Sequence, residues 1–283
     1  MFLKSIFITL YISFLHLSAG FSGWQIFHTG FDWLWLGVLL TALPGVLVFD
    51  ILLLAKPVAR TKNHLAWIIG IKLFGLILVG LINLTASSLN YVSLWLAFTG
   101  SMGWLAYDYW FSLFPKRNKT RLAIGHPLPE MNFLTTEQVP FNTHKLRGAP
   151  ALILFYRGNW CPLCMAQINE IAAQYQQLAE LGVQVLLISP QSHQQSKKLA
   201  DRFKVPFTFL VDKDCQVAKS LGIFAENGLP LGMQLFGYDS DTVMPTAIMT
   251  DAQGTIIFAD LTDNYRIRPE PATFLAVLRQ HQA

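Results

Sequence analysis

Charge is distributed very unevenly along this chain, and that restricts its architecture more than any single motif. Of its 21 basic and 17 acidic residues, eight lie before or within the span ending at Phe114: Lys4, Asp32, Asp50, Lys56, Arg60, Lys62, Lys72 and Asp108. The same span holds seven of the eight tryptophans. Four apolar stretches fill it: Phe2 to Ala19, Phe31 to Ala55, Leu65 to Leu84 and Tyr91 to Phe114. A hydrocarbon core of ~30 Å needs roughly 20 helical residues, a length the last three stretches reach. The first is marginal, and Lys4 ahead of an apolar run also suits a signal peptide. Leu17-Ser18-Ala19 is a poor small-x-small cleavage site, so an uncleaved helix is the favoured reading. The expected organisation is a transmembrane helical region over residues 1–114, about four helices, then a basic linker over 115–123 and a soluble domain over 124–283.

The net charge of +4 is no nucleic-acid signal, because much of it flanks the apolar stretches. Lys56, Arg60 and Lys62 follow the second stretch, and Lys116, Arg117, Lys119 and Arg121 follow the fourth. The loops Gly20 to Gly30 and Thr85 to Asn90 carry no Lys or Arg. Lys and Arg accumulate on the cytoplasmic side, so both basic segments are expected there. That makes a multi-pass protein of the inner or plasma membrane with a cytoplasmic C-terminal domain, a periplasmic one being the alternative. Asp50, Lys72 and Asp108 lie inside apolar stretches. Intramembrane charges face the bundle and pair, so Lys72 is expected against Asp50 or Asp108, with snorkelling to the interface as the competing reading. Pro44 is expected to kink the second helix.

Beyond Leu122 the pattern becomes an alternation of short strands and helices. Strands are expected at Ala151–Tyr156, Val183–Ser189, Thr208–Val211, Thr246–Asp251 and Thr255–Ala259. Helices are expected at Cys161–Leu181, Ser192–Phe203, Gln216–Leu221 and Pro271–Gln282. The result is an α/β sandwich with a mixed central sheet. Where the first strand meets the first helix stands Phe155-Tyr156-Arg157-Gly158-Asn159-Trp160-Cys161-Pro162-Leu163-Cys164. A thiolate at a helix N-terminus meets unpaired amides and the positive end of the dipole, which lower its pKa. Two intervening residues let two sulfurs form and break a disulfide within one helical turn. Pro162 suits the first helical position. The three cysteines are Cys161, Cys164 and Cys215, and three thiols with one close pair make no disulfide scaffold. Catalysis or metal binding remain, and a metal would need His144 or His193 to converge on the pair.

The C-terminal part, from about Ile124, resembles the thioredoxin fold in its peroxiredoxin-like branch, the alkyl hydroperoxide reductase/thiol-specific antioxidant type. Gly125-His126-Pro127-Leu128-Pro129 is similar to that family's entry segment, and Leu146-Arg147-Gly148 precedes the first core strand as it does there. Phe155 to Cys164 is similar to its signature, Met244-Pro245-Thr246 to its cis-proline segment, and Tyr265 to Pro271 to its closing segment. Two positions depart from the pattern. Gly158 stands where a threonine or serine is usual and Leu154 where a proline is usual. Phe155 stands where thioredoxins carry a buried aspartate.

The resemblance implies a thiol–disulfide oxidoreductase or thiol-dependent peroxidase. Cys161 is expected to be the nucleophile and Cys164 the resolving thiol. Arg157, four residues ahead of Cys161, is expected to stabilise the thiolate or a polarised peroxide oxygen, with Arg266 or Arg268 as a second guanidinium. Trp160 is expected to shield the sulfur. Pro245 is expected to be cis, leaving the Met244 backbone free to pair with an extended substrate. Cys215 reads as a partly buried free thiol or a third redox partner. No cofactor or metal is expected. The implied partners are an external dithiol donor, thioredoxin-like or glutathione, a peroxide or protein disulfide, and the lipid bilayer, without nucleic acid. The alternative is a non-catalytic interaction module on a membrane anchor.

Overall fold

The computed structural model describes the chain apart from residues 116, 118, 119, 204 and 283, and apart from the side chains of 52, 53 and 282. Lys116 and Lys119, which contribute to the basic linker, lie outside the described residues. Internal contacts divide the chain in two. One unit is Leu3–Pro57 with Lys62–Leu113, and the other is Met1–Phe2, Val58–Thr61 and Phe114–Ala283.

The first unit is helical. Helix α1 is Phe2–Thr29, α2 Trp33–Leu47, α3 Ala66–Thr85 and α4 Tyr91–Ala106. Among the described residues, three segments are long and apolar enough to cross a membrane: Phe2–Thr29, Trp33–Ile51 and Ala66–Thr85. Helix α1 runs ten residues past the expected end at Ala19. In the added part, Ser22 Oγ donates to Ser18 O and Thr29 Oγ1 to Gln25 O, each at 2.8 Å, so these two hydroxyls are met within the helix and do not force a loop. After Pro44 the second helix continues as a π-helix over Val48–Ala55, and α4 likewise ends in π-helical Tyr107–Phe111. Helices α2 and α3 cross where both are glycine. A β-carbon on Gly75 would come within 2.6 Å of Gly37 O, so a side chain there would force the backbones apart.

Lys72 does not pair with either aspartate. Asp50 Oδ2 is 2.9 Å from His16 Nε2, and Asp108 Oδ2 is 3.2 Å from His64 Nδ1. The Lys72 ammonium is buried and does not snorkel either. It donates to Thr41 O on α2 and to Gly100 O on α4 (3.3 Å), and it lies 5.2 Å from the centre of the Trp104 ring. Helix carbonyls and an aromatic face surround it at mid-helix, where neither carboxylate reaches.

In the second unit, nine short strands alternate with helices among the described residues. They are β1 Asn132–Thr135, β2 Pro140–Asn142, β3 Ala151–Phe155, β4 Gln184–Ser189, β5 Thr208–Val211, β6 Phe224–Ala225, β7 Thr242–Val243, β8 Thr246–Thr250 and β9 Ile256–Asp260. Seven form one mixed sheet in the order β2-β1-β5-β4-β3-β8-β9, with β6 and β7 as a separate ribbon. Strands β3, β4 and β5 are parallel, and β8 runs antiparallel to both β3 and β9. Every residue of β3 is buried, as its unbroken apolar run requires of a central strand covered on both faces. The helices are α5 Pro162–Ala173, α6 Tyr175–Glu180, α7 His193–Ala200, α8 Gln216–Leu221 and α9 Pro271–Gln282. The helix expected to run unbroken to Leu181 is interrupted at Gln174, after which Tyr175 packs edge-on to Phe207 at 5.8 Å. Thus α5 stands directly behind the C-terminal end of the central strand, and the cysteines sit in that connection.

Candidate active site

Strand β3 ends at Phe155, and Tyr156 adds one more rung by donating its N–H to Ile188 O at 2.9 Å. Residues 157–160 then turn the chain into α5, for which Cys161 is the N-cap residue and Pro162 the first helical residue. Gly158 has φ +144, and a β-carbon on it would lie 2.7 Å from Trp160 Nε1. The indole therefore occupies the space where the resembled pattern carries a hydroxyl side chain. Gln191 holds the turn from behind. Its Nε2 donates to Asn159 Oδ1 (2.9 Å) and Tyr156 Oη (3.1 Å), and its Oε1 accepts from Asn159 N (2.9 Å).

The turn brings Cys161 Sγ and Cys164 Sγ to 2.7 Å, both as free thiols. They are 2 % and 0 % exposed. Of the two arginines proposed as a second guanidinium, Arg268 takes the place. Its Nη2 is 3.5 Å from Cys164 Sγ and 3.9 Å from Cys161 Sγ. Its Nη1 donates to Gln167 Oε1 (3.0 Å), one turn along α5, and its Nε to Tyr265 O (3.2 Å). Arg266 turns away and donates to Thr61 Oγ1 at 3.2 Å.

Burial opposes a charge on either sulfur, but on Cys164 it is outweighed. The thiol of Cys161, the Arg268 guanidinium and the backbone N–H of Arg157 all favour its anion, and its pKa is lowered to about 5. Cys161 keeps the proton, held well above the usual thiol range by burial and by the sulfur beside it. This revises the sequence-based picture, in which the helix terminus places the anion on Cys161. That sulfur makes no capping hydrogen bond. The guanidinium and the amide that hold the charge lie closer to the second sulfur.

Arg157 is buried, and its guanidinium lies 4.6 Å from the Trp160 ring centre and 5.9 Å from that of Tyr265. Its Nη2 donates to Gly228 O, while its buried Nε has no partner among the described residues. Its charge favours both thiolates.

Pro245 is trans, for no cis peptide bond occurs among the described residues. Nor is the Met244 backbone free. Its N–H donates to Ile223 O at 2.7 Å and its carbonyl accepts from Thr246 Oγ1 at 2.9 Å, so the ribbon β6–β7 continues into this segment and saturates it. Pro245 O accepts from Arg117 Nη1 at 3.0 Å. The proline shares with Arg268 and Gln167 a small enclosed cavity of about 10 Å³. Cys215 is buried in the main core of this unit, and burial pushes its thiol up to about 12. Among the described residues no group of three or more His, Cys, Asp or Glu side chains is placed to hold a metal ion.

Comparison with known proteins shows what the C-terminal part is similar to. Residues 124–259 match the model of the AhpC/TSA family. The chain is 24% identical over 160 residues to Peroxiredoxin Bcp of Escherichia coli K12, covering 56% of this chain and 97% of that one. It is 30% identical over 112 residues to the chloroplastic Peroxiredoxin Q of Sedum lineare, covering 40% and 58%. A crystal structure of the peroxidoxin BcpB from Mycobacterium tuberculosis aligns at 17% identity with a TM-score of 0.47, over 57% of this chain and 99% of that one. Arg268, Arg60 and the N-terminal helices all lie outside the matched residues 124–259.

Proposed function

From a chain whose residues 124–259 make a thioredoxin-fold, peroxiredoxin-like domain, we propose a membrane-held, thiol-dependent peroxidase that works through the Cys161–Cys164 pair. The observation that carries this reading is the pair itself, two free sulfurs 2.7 Å apart under one buried guanidinium.

The cycle follows from the shared proton. Cys161 is the less buried residue of the pair and adjoins Trp160, so it is the one assigned to meet a peroxide. Its proton passes to Cys164 across the 2.7 Å contact. The Cys161 thiolate then attacks one peroxide oxygen. A sulfur–oxygen bond forms, the O–O bond breaks, and the departing alkoxide takes the proton from Cys164. Cys164, now the thiolate, attacks the sulfenic sulfur and expels hydroxide, which solvent protonates. The products are an alcohol, water and a disulfide, which an external dithiol reduces by exchange. Arg268 faces both sulfurs and so stabilises the anion wherever it stands. The unpartnered Arg157 Nε is a donor available to the peroxide oxygen on which charge develops.

Membrane attachment is supported by α1, by Trp33–Ile51 and by α3, each of spanning length. The loop residues Val58–Thr61 fall in the same compact unit as the C-terminal domain. That grouping supports a reading in which this loop and the C-terminal domain lie on one side of the membrane, with α4 and its π-helical continuation as the return crossing after α3. Lys56, Arg60 and Lys62 in that loop favour the cytoplasmic side of an inner or plasma membrane. Helices without thiols cannot relay electrons by disulfide exchange, so attachment is their role in this scheme.

The test is peroxide consumption by the detergent-solubilised full chain with a dithiol reductant. Turnover is expected in the wild type and absent in Cys161→Ser. Reduction of a disulfide substrate without peroxide turnover would instead make it a thiol–disulfide oxidoreductase. Inactivity in both assays would leave the non-catalytic module.

A further inference from the structure

Arg60 lies in the loop between the π-helical segment Val48–Ala55 and α3, among basic residues whose usual meaning is membrane orientation. Its surroundings are more specific than that. Nε donates to Arg268 O at 3.1 Å and Nη2 to Pro269 O at 3.4 Å. Nη1 donates to Glu170 Oε1 at 3.3 Å and Nη2 to Glu170 Oε2. One guanidinium thus grips a carboxylate on α5 and two carbonyls of the segment that carries Arg268. Thr61 extends the seam, its N–H donating to Arg266 O at 3.0 Å.

The same two elements make the contact that governs the sulfurs. Helix α5 supplies Cys164 and Gln167, and the 266–269 segment supplies Arg268. The nitrogen–sulfur separations, 3.5 and 3.9 Å, are set by the distance between those elements. A solitary surface ion pair touches one partner and contributes little. A planar guanidinium that is bidentate to a carboxylate and also bonded to a second element fixes geometry.

We infer that Arg60 is a positioning residue for the thiol pair, bracing α5 against the 266–269 segment so that Arg268 reaches both sulfurs. This rests on the proposal that Cys161 and Cys164 react under the charge of Arg268. It goes beyond that proposal by assigning to a residue far outside the peroxiredoxin-like match a part in setting their reactivity.

The test is the pH dependence of thiol alkylation in the reduced, detergent-solubilised full chain, with thiolate ultraviolet absorbance read in parallel. Arg268→Met is the reference and is expected to raise the midpoint. Arg60→Met is expected to raise it in the same direction by about one pH unit, a roughly tenfold loss of thiolate below the midpoint. Glu170→Gln, which keeps the carbonyl bonds, is expected to give a smaller rise. Arg60→Met added to Arg268→Met is expected to give no further rise, because both act through one contact. If Arg268→Met raises the midpoint while Arg60→Met and Glu170→Gln leave it unchanged, the bracing role is overturned and the proposed function stands. If Arg268→Met itself leaves it unchanged, the premise about Arg268 fails first. Should Arg60→Met not fold, an unchanged midpoint in Glu170→Gln overturns the inference.

Discussion

Arg268 Nη2 stands 3.5 Å from Cys164 Sγ, which puts a buried cation against the sulfur holding the pair's negative charge. At that separation, with an effective dielectric of about 20, the attraction is roughly 5 kcal/mol, the equivalent of about three and a half pKa units. Relaxation and water entering the vacated space reduce it. Arg268→Met is therefore expected to raise the thiolate pKa by about one to three units. Alkylation below neutral pH should slow at least about tenfold. An unchanged rate would mean that the helix terminus, and not the guanidinium, holds the anion.

The same anion gives the reduced protein a pH-dependent stability whose sign follows from linkage. Cys164 has a folded pKa lowered to about 5, while an unfolded thiol titrates near ~8.5. Between those values the unfolded chain binds the proton and the folded chain does not, so stability rises with pH across that window. Below the lower value the contribution is lost. The thermal midpoint of the reduced wild type, minus that of Cys164→Ser, should widen as pH rises through the window. A difference that narrows would place the lowered pKa elsewhere.

What the sequence makes legible about this site is its local part. An unbroken apolar run, a glycine-containing turn, Pro162 at the first helical position and two cysteines one turn apart all act within a few residues, and they place the sulfurs correctly. The succession of core strands and helices along the chain is legible for the same reason. The rest depends on tertiary contacts. Arg268 was one of two equivalent candidates until the fold aimed its side chain at the pair and that of Arg266 at Thr61. Gln191 and Gln167 carry no pattern that marks them. The hairpin β1–β2 escapes notice because its turn uses Gln138 at φ +64 where glycine or asparagine would signal it. The partner that occupies the Met244 N–H is Ile223, just ahead of β6, which no neighbour in sequence announces.

Gly158→Thr would introduce the hydroxyl found at this position in the resembled family, and it is expected to harm rather than help. The β-carbon would meet the Trp160 indole at 2.7 Å, and a β-branched residue would have to adopt φ +144. Strain of this kind costs of order 1–3 kcal/mol. A fall in thermal midpoint together with reduced peroxide turnover is the expected result. Turnover above wild type would mean that the indole yields easily and that the turn is more plastic than its contacts suggest.

Lys72 offers the clearest weighing of opposed terms. Taking an ammonium out of water costs several kcal/mol, and no carboxylate accompanies this one in its carbonyl pocket. On the other side stand hydrogen bonds to two carbonyls, at about 1.5–3 kcal/mol each for a charged donor. A cation–π contact with Trp104 at 5.2 Å adds about 0.5–2 kcal/mol. The sums nearly cancel, so the side chain's volume decides. Lys72→Met fills similar space and orphans no acceptor, since Gly100 O also accepts from Tyr11 Oη at 2.8 Å and both carbonyls lie within helices. Its thermal midpoint in detergent should stay near that of the wild type, within about 1 kcal/mol of stability. Lys72→Ala leaves a void against Trp104 and should cost about 2–4 kcal/mol. If Met proved as damaging as Ala, the ammonium would be a net stabilising link between α2, α3 and α4, and the desolvation cost assumed here would be too high.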